Sequence, residues 1–286
     1  MIMQAYAKLN LTLEVLDKRE DGYHNIVSVF QSISLCDELT LAPYETLMLQ
    51  GDLAGATAEE NLVMRAARLL QETVGEKRGA LMRLKKRIPV AAGMGGGSSD
   101  AAAALTGLCK LWGHQPSSEE LRHMAGKLGA DVPFFLHGGT VLAEGRGDDL
   151  TPLPPLQETW LVTATPPIAI ERKTATLYGT LNPSHHSIGQ RTQLLVYEIR
   201  GSHRLAPGLL YNTFEQVADE VFPGLAAFRQ RMLDAGAATA HLSGSGPTLF
   251  TLVADEAAGA ALQRNLGAAG IESQLVKTVA KTYNQL

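Results

Sequence analysis

Apolar and polar residues alternate with a period of two near the start of the chain. From residue 5 to residue 15 the odd positions are apolar, and the even positions are occupied by Tyr6, Lys8, Asn10, Thr12 and Glu14. This alternation predicts a half-buried β-strand. It resumes over residues 27–35, and the intervening Asp21-Gly22 pair is typical of a turn. Together the two segments predict a β-hairpin with a somewhat long loop.

Helical periods follow in the rest of the first half. Asn61 is a typical N-cap residue for a helix that continues to Val74 and ends at Gly75. An alanine-rich helix is predicted over residues 100–112, and a third helix over residues 118–128 ends at Gly129. Shorter segments at residues 46–50 and 81–88 predict strands.

The second half follows a proline-rich segment, residues 151–155, which has no regular period and is the best candidate for a linker. Beyond it the pattern predicts strands at residues 159–165, 240–242, 248–253 and 273–276, and helices at residues 191–200, 213–221, 225–235 and 256–269. This order of elements resembles a split βαβ arrangement. We therefore predict an α+β protein of two domains, residues 1–152 and 153–286, with a cleft between them.

The composition narrows the class of protein. Of 286 residues, 45% are apolar and 19% are charged, and the formal net charge is -4. This weak negative charge argues against nucleic acid or an anionic membrane as a partner. The cysteines, Cys36 and Cys109, are far apart and indicate neither a disulfide framework nor a zinc site. No segment reaches the roughly 18 uninterrupted apolar residues that a membrane helix needs, so we expect a soluble cytoplasmic protein.

A glycine-rich block connects a predicted strand to the alanine-rich helix. It consists of Pro89, Val90, Ala91, Ala92, Gly93, Met94, Gly95, Gly96, Gly97, Ser98 and Ser99, followed by Asp100. Such a loop presents unpaired backbone N–H groups and the positive end of a helix dipole to a ligand, and glycine permits close approach and positive φ angles. The serine hydroxyls could also reach phosphate oxygens or a Mg²⁺ ion. The block therefore predicts a polyphosphate-binding site.

Two common phosphate motifs do not fit this block. A P-loop has lysine after its last glycine, where this chain has Ser98. A dinucleotide fingerprint counted from Gly93 would require glycine at position 98. The alternative interpretation is a flexible loop in which Ser98, Ser99 or Asp100 merely caps the following helix.

The block resembles the central phosphate-binding motif of the GHMP kinases, the family of galacto-, homoserine, mevalonate and phosphomevalonate kinases. Further motifs similar to those of the family stand in the same order: Ala7-Lys8-Leu9-Asn10-Leu11 with Asp21-Gly22-Tyr23-His24, then LGADVPFFL at residues 128–136, then Ser243-Gly244-Ser245-Gly246 as its third glycine motif. The resemblance covers nearly the whole chain. It implies an N-terminal ATP-binding α/β domain and a C-terminal ferredoxin-like (split βαβ) domain, with the active site in the cleft between them.

Within that family, the first and acidic motifs are most similar to kinases that phosphorylate the 2-hydroxyl of 4-diphosphocytidyl-2-C-methyl-D-erythritol, in the non-mevalonate route to isoprenoid precursors. The resemblance implies ATP as co-substrate, Mg²⁺ as cofactor and a cytidine diphosphate-linked methylerythritol as small-molecule partner. Two alternatives stay open. A GHMP kinase for homoserine, mevalonate or a sugar would leave the block at residues 21–24 unexplained, and an inactive binding protein would have no reason to keep Lys8 and Asp131. The sequence gives no indication of oligomeric state.

The resemblance also implies catalytic roles. Asp131 would be the general base, and Lys8 would orient the acceptor hydroxyl and stabilise charge, with Asn10 assisting. From the residues alone, Lys8 and Asn10 could instead lie on a solvated strand face, and Asp131 could N-cap a short helix. No acidic residue besides Asp131 stands out as a Mg²⁺ ligand, so the metal ligands stay unassigned.

The remaining candidates concern the two ligands that the resemblance implies. For the cytidine pocket they are Tyr23, which would stack on the base, His24, which would hydrogen-bond its edge, Tyr178, as a second stacking ring, and Phe30. For the adenine pocket they are Asn61, Leu62 and Lys86, chosen by position. The histidines at positions 185, 186 and 203 match no usual zinc spacing and are expected in a solvated loop.

Overall fold

The computed structural model describes residues 1–53, 55 and 57–280. Its strands are β1 Ile2–Lys18, β2 His24–Tyr44, β3 Leu47–Gly51, β4 Gly79–Lys85, β5 Thr140–Glu144, β6 Asp149–Pro152, β7 Trp160–Ala164, β8 Tyr211–Asn212, β9 His241–Leu242, β10 Leu249–Val253 and β11 Ser273–Lys277. Its α-helices are α1 Leu62–Val74, α2 Gly96–Trp112, α3 Ser118–Leu128, α4 Val132–His137, α5 Lys173–Thr180, α6 Gln190–Ser202, α7 Ala218–Val221, α8 Leu225–Asp234 and α9 Glu256–Ala268. Short 3₁₀ helices cover Pro183–His185, Pro207–Leu209 and Thr213–Gln216. No helix among the described residues is long and apolar enough to cross a membrane.

The strands form two mixed or antiparallel sheets. The first has the order β3-β4-β2-β1-β8, and β5 pairs with another part of β2 and with β6. The second has the order β11-β7-β10-β9, with antiparallel pairing throughout. The predicted hairpin is confirmed, because β1 and β2 pair antiparallel from Ile2 opposite Thr40 to Lys18 opposite His24. Both strands are longer than the alternating segments.

The half-buried character predicted for β1 is wrong, since both of its faces are covered. The even positions Lys8, Asn10, Thr12 and Glu14 are at most 5% exposed. Helix α6 covers part of this face, where Thr192 donates its backbone N–H to Glu14 Oε2 at 2.7 Å and its hydroxyl to Thr12 Oγ1 at 2.9 Å. The polar residues therefore face buried partners and a cavity rather than bulk water.

Helix α2 begins at Gly96 rather than at Asp100, where the alanine-rich run suggested. Most of it lies within the largest apolar cluster, and Ala101 to Ala104 have no exposed surface. Gly107 faces the sheet at close range: a Cβ at this position would overlap the Leu41 side chain and lie 2.9 Å from Met3 Cγ. The small residues thus allow the glycine-rich start of α2 to be held rigidly against the sheet.

The predicted caps of the neighbouring helices are confirmed. Asn61 Oδ1 accepts the N–H of Val63 at 2.9 Å, and Gly75 ends α1 with φ +68°. Helix α3 has the predicted bounds, with Gly129 following it. The strand predicted at residues 81–88 ends at Lys85, because the backbone N–H groups of Arg87 and Ile88 donate to the Asp37 carboxylate and not to a neighbouring strand.

The second half departs more from the prediction. Residues 151 and 152 belong to strand β6, so the proposed linker is partly wrong, and the helix predicted at residues 213–221 is a 3₁₀ turn followed by the short α7. Strand β8 and helix α5 of this half were not predicted, and neither was β5 of the first half. The other predicted strands and helices of this half agree with β7, β9, β10, β11, α6, α8 and α9 to within a few residues. The division of the chain at residue 152 stays a prediction.

Replacing Gly107 with alanine should destabilise the protein. The new methyl group would displace buried Leu41 and Met3, and overpacking of this kind typically costs about 1–3 kcal/mol, partly offset by a helix-propensity gain of roughly 0.5–1 kcal/mol. The matched control is Gly126→Ala on α3, where a Cβ has no atom within 4 Å and should raise the free energy of unfolding. Urea denaturation of both variants tests this, and equal stabilisation by the two alanines would contradict the close packing of α2.

Candidate active site

Two of the cavities meet at a junction that is formed by β1, the glycine-rich loop and the loop before β10. The larger has a volume of about 740 Å³ and the smaller of about 440 Å³. Gly93, Gly95 and Ser245 line both. The larger cavity contains all five residues predicted for the acceptor, which are Asn10, Tyr23, His24, Phe30 and Tyr178, together with Lys8 and Asp131.

Lys8 is fixed at the junction by β1 and its neighbours. Its Nζ donates to Asn10 Oδ1 at 2.6 Å, and Asn10 Nδ2 in turn donates to Ser28 Oγ on β2 at 2.8 Å. The same Nζ lies 4.6 Å from the centre of the Phe30 ring and 3.7 Å from Asp131 Oδ2. The sheet therefore holds the ammonium group in one orientation, facing the carboxylate.

Asp131 precedes helix α4, whose apolar residues anchor it. Val132, Phe134 and Phe135 are completely buried, whereas the Asp131 side chain is 37% exposed. Within the described residues, the Asp131 side chain makes no capping hydrogen bond to α4. The helix-cap interpretation is therefore wrong for the side chain, and the carboxylate is directed to Lys8 and the larger cavity.

The glycine-rich block has two positions that require glycine for conformational reasons. Gly93 has φ +83° and Gly95 has φ +70°, and a Cβ on Gly95 would lie 2.6 Å from the Phe135 ring. Gly96 and Gly97 instead form the first turn of α2. The alternative of a serine or aspartate cap is wrong, because Gly95 occupies the N-cap position. The first N–H groups of α2 lack intrahelical partners and, with the helix dipole, favour an anion in the adjoining cavity.

Most of the predicted phosphate-binding residues line the smaller cavity. They are Pro89, Val90, Ala91, Ala92, Gly93, Gly95, Gly96, Gly97 and Ser98, and the predicted adenine candidates Asn61, Leu62 and Lys86 line it with them. Met94 and Ser99 are buried and do not belong to the described lining of this cavity. Met94 has a different role, since its carbonyl oxygen accepts the backbone N–H of Lys8 at 3.0 Å.

Lys86 lies between two buried carboxylates that the sequence did not reveal. Its Nζ donates to Asp100 Oδ2 at 2.6 Å and to Asp37 Oδ2. Burial disfavours the charge on Lys86, but Asp100 and Asp37 outweigh it and raise the pKa of the ammonium. Burial raises the pKa of Asp100 to about 7 despite Lys86. Asp100 Oδ1 is buried and has no hydrogen-bond partner among the described residues.

The turn between β1 and β2 places two aromatic rings at the larger cavity. Asp21 Oδ1 accepts the N–H of Tyr23 at 3.1 Å, and Gly22 has φ +85°. Tyr23 is 60% exposed, with the Arg146 guanidinium 5.4 Å from its ring centre. Its ring is therefore accessible to a planar ligand entering the cavity.

His24 and Tyr178 stack on each other, although they come from opposite halves of the chain. Their ring centres are 4.7 Å apart and their planes differ by 15°. Burial, together with His186 and Lys18, lowers the pKa of His24, so its imidazole is neutral near pH 7. Burial and the charge of Asp131 raise the pKa of Tyr178 to about 12. Tyr178 thus stacks on His24, and the hypothesis that Tyr23 and Tyr178 both stack on the cytosine stays a prediction.

The third glycine motif connects the two halves at the junction. Ser243 is buried and donates its hydroxyl to the Gly93 carbonyl at 3.2 Å. Asn212 Nδ2 supports the motif by donating to the carbonyls of Leu242 and Gly244 at 2.8 Å. A Cβ on Gly244 would lie 2.9 Å from Asn10 Oδ1. Gly244 and Ser245 line the larger cavity, whereas Ser243 and Gly246 do not belong to its described lining.

Several cavity residues were missed by sequence reasoning. Lys18, Arg146 and Thr174 line the larger cavity, and Lys173 lines the smaller one. Lys173 and Thr174 lie on α5, which follows a proline-containing stretch without regular period, so no pattern pointed to this helix. A basic pair at positions 172 and 173 was the one local signal available.

Family models match both halves of the chain. The model described as the GHMP kinases N terminal domain matches residues 61–139, and the model described as GHMP kinases C terminal matches residues 196–272. The first match spans α1 to α4 and so includes the glycine-rich block and Asp131. The second includes the third glycine motif.

Individual proteins match over almost the full length. A 4-diphosphocytidyl-2-C-methyl-D-erythritol kinase from Dehalococcoides mccartyi is 42% identical over 280 residues, 98% of each chain. A protein of the same name from Symbiobacterium thermophilum is 41% identical over 284 residues, 98% of this chain and 100% of the relative. A crystal structure of 4-(cytidine 5'-diphospho)-2C-methyl-D-erythritol kinase superposes with a TM-score of 0.83 at 34% identity, over 97% of this chain and 99% of the other.

Lys86→Met should destabilise the fold strongly. It would leave the Asp37 and Asp100 carboxylates buried without their cation, and breaking a buried ion pair typically costs about 3–5 kcal/mol. The control is Lys85→Met, one residue earlier on the exposed face of β4. Chemical denaturation monitored by circular dichroism measures the difference. Similar stability of the two variants would show that the network contributes little to folding.

Proposed function

This chain belongs to the GHMP kinase family, and we propose that it transfers the γ-phosphoryl group of ATP to the 2-hydroxyl of 4-diphosphocytidyl-2-C-methyl-D-erythritol. The observation that carries the proposal is the position of the Lys8–Asp131 pair, 3.7 Å apart, where the cavity at the start of α2 meets a second cavity lined by aromatic rings. A kinase needs this arrangement, with the phosphate donor and the acceptor approaching the reacting groups from opposite sides. The substrate assignment follows the full-length relatives.

In the proposed complex ATP occupies the smaller cavity. Its phosphates lie against the N–H groups at the start of α2, where the helix dipole and the absence of side chains at Gly96 and Gly97 favour a polyphosphate. The adenine lies toward Asn61, Leu62 and Lys86, which line the same cavity. The donor is thereby aligned with its terminal phosphate toward Lys8.

The acceptor occupies the larger cavity in this proposal. The cytosine stacks on the Tyr23 ring, with His24 and Tyr178 nearby. Phe30 lies deeper in the same cavity. Because His24 has a lowered pKa, its neutral imidazole carries one donor and one acceptor nitrogen, which suits the mixed edge of a cytosine. The cations Lys18 and Arg146 are available for the diphosphate of the substrate.

The chemistry then requires few protein groups. The oxygen of the 2-hydroxyl forms a bond to the γ-phosphorus while the bond from that phosphorus to the β,γ-bridging oxygen breaks, and ADP leaves. Asp131 accepts the proton of the hydroxyl, and Lys8 stabilises the negative charge on the transferring group and holds the Asp131 carboxylate in place. Asn10 fixes the Lys8 ammonium through the bond at 2.6 Å.

The residues of the smaller cavity fit a Mg²⁺ ion accompanying ATP. Mg²⁺ prefers oxygen ligands and binds with one or two protein groups plus substrate phosphates and water. Asp100 Oδ1 has no hydrogen-bond partner among the described residues, and Ser98 lines the same cavity. We propose these two residues as its protein ligands, where the ion would neutralise phosphate charge.

Steady-state turnover with a panel of acceptors tests the proposed function. The purified protein is supplied with ATP, Mg²⁺ and one acceptor at a time: the cytidine diphosphate-linked methylerythritol, homoserine, mevalonate or galactose. We expect ADP release with the first acceptor alone. Turnover with one of the other acceptors would reject the substrate assignment, and absence of turnover with all of them would reject kinase activity on these classes.

Asp131→Asn should give a folded protein that binds both substrates but turns over slowly. The amide cannot accept the hydroxyl proton, and losing a general base typically lowers the rate on the order of 10²–10⁴-fold. The effect should appear in kcat rather than in substrate affinity. Because the Asp131 side chain makes no capping bond within the described residues, the melting temperature should hardly change.

The control for this variant is Asp149→Asn on the exposed strand β6, which should retain full turnover. Near-normal kcat in Asp131→Asn would contradict the assigned base. A large loss of melting temperature would indicate a structural role instead.

Tyr23→Ala should weaken acceptor binding by about 1–3 kcal/mol, the usual contribution of a stacked base, and leave ATP binding nearly unchanged. Tyr23→Phe should have a small effect, because the ring provides the stacking. The control is Tyr197→Ala, which removes an exposed tyrosine from α6 outside the cavity lining. Calorimetric titration with each substrate measures both affinities, and an equal loss for ATP and acceptor would contradict a base-stacking role.

A further inference from the structure

Lys173 brings a positive charge to the smaller cavity from the second half of the chain, whereas the glycine-rich block lines it from the first half. It is the first residue of α5, and its Nζ donates to the Ser245 carbonyl at 3.3 Å and to the Gly246 carbonyl. The side chain therefore rests on the third glycine motif and lines the same cavity as the start of α2. Thr174, the next residue, reinforces this position by donating its hydroxyl to Ser245 Oγ at 3.0 Å.

The ammonium of Lys173 has no carboxylate partner in the part of the chain that the structure describes. Among the described residues it forms no ion pair, and burial together with the charge of Lys8 lowers its pKa to about 8. Lys86 in the same cavity differs, because Asp37 and Asp100 bracket it and raise its pKa. A partly buried cation that has neutral carbonyls as its partners is stabilised when an anion enters its surroundings.

The proximity of Lys8 indicates which anion would be bound. Lys8 faces Asp131 at the junction of the cavities, and a Cβ on Gly244 would lie 3.5 Å from Lys8 Nζ. Lys173 contacts the carbonyls of the next two residues, Ser245 and Gly246, so the second ammonium lies near the reacting end of the proposed phosphate site. A transferring phosphoryl group carries its charge on peripheral oxygens that cations on several sides can contact. The β1 lysine and the α5 lysine approach this region from different halves of the chain.

We propose that Lys173 binds the terminal phosphate of ATP, completing from α5 the site that α2 and Lys8 form on the other side. The proposal rests on the proposed kinase function and adds a residue to it. The terminal phosphate replaces the missing counterion, so the γ-phosphoryl group is held between two lysines. ADP lacks that phosphate and leaves Lys173 on its two carbonyls.

Binding titrations with Lys173→Met test this assignment. The probes are the non-hydrolysable analogue in which an imido group replaces the β,γ-bridging oxygen of ATP, and ADP, each with Mg²⁺. We expect affinity for the analogue to fall about 10- to 100-fold, the usual range for a lost charge-assisted hydrogen bond, and affinity for ADP to change less than about threefold. Lys277→Met, which removes an exposed lysine on β11, should bind both probes as the unmodified protein does.

Either of two binding results would overturn the proposal. Retained affinity for the analogue would show that Lys173 does not contact the nucleotide, and equal losses for the analogue and ADP would assign it to a phosphate that both share. Failure of the proposed function has a different signature. A protein that binds the analogue but phosphorylates no acceptor would reject the substrate assignment and leave the role of Lys173 intact.

A pH series on Lys173→Arg provides a second test that does not depend on the folding of the methionine variant. The charged groups facing Lys173 across the cavity and junction are Lys8, Asp131, Lys86, Asp100 and Glu60. With a pKa near 8 in the free enzyme, Lys173 is charged below that pH and loses its proton above it, so affinity for the analogue should be highest below pH 8 and fall about tenfold by pH 9. Arginine stays protonated and should abolish this decline. An identical decline in both proteins would overturn the proposal.

Discussion

The site depends on a backbone contact between two distant glycine-containing loops. Gly93 lies so close to the later loop that a Cβ would overlap the Ser243 carbonyl and lie 2.8 Å from the Gly246 nitrogen. The hydrogen bonds from Ser243 to Gly93 and from Thr248 to Ala92 fix this approach. Both cavities have their common wall here, and Lys8 lies beside it. Without the contact, the two cavities proposed for donor and acceptor would belong to separate surfaces.

The three lysines of the site show how burial and neighbouring groups determine the role that a lysine side chain can have. Lys86 is neutralised by two buried carboxylates and is suited to a structural role. Lys8 faces one partly exposed carboxylate, which leaves both groups able to interact with a reacting molecule. Lys173 rests on backbone carbonyls and forms no ion pair with the residues that the structure describes. Under the proposed function, a lysine side chain would thus serve stability at Lys86, phosphoryl transfer at Lys8 and phosphate binding at Lys173, according to its neighbours.

Local signals in the sequence predicted the hairpin, the capped helices α1 and α3, the glycine-rich block and the family. These features depend on residues that are close in the chain, such as Asn61 and the N–H of Val63. The burial of the polar face of β1 could not be predicted, because Thr192 of α6 covers it from 178 residues away in the sequence. Asp37 is 49 residues from Lys86 in the sequence, and the stacked rings of His24 and Tyr178 come from opposite halves of the chain. Only folding reveals such partners.

Strand β8 has a consequence for how the molecule unfolds. Although it lies in the later half of the chain, it pairs in parallel with β1 through Thr12 and Leu13, and β11 is followed by a bridge from Thr278 to Ile33 on β2. The two halves therefore share hydrogen bonds within their sheets as well as a cleft. A fragment ending at Pro152 would lose β8, the strand that pairs with β1 on the side away from β2. It would also expose Leu13 and Val15, which are buried against the later half. We expect the halves to melt as one cooperative unit, so that ligand bound in the cleft stabilises the whole chain.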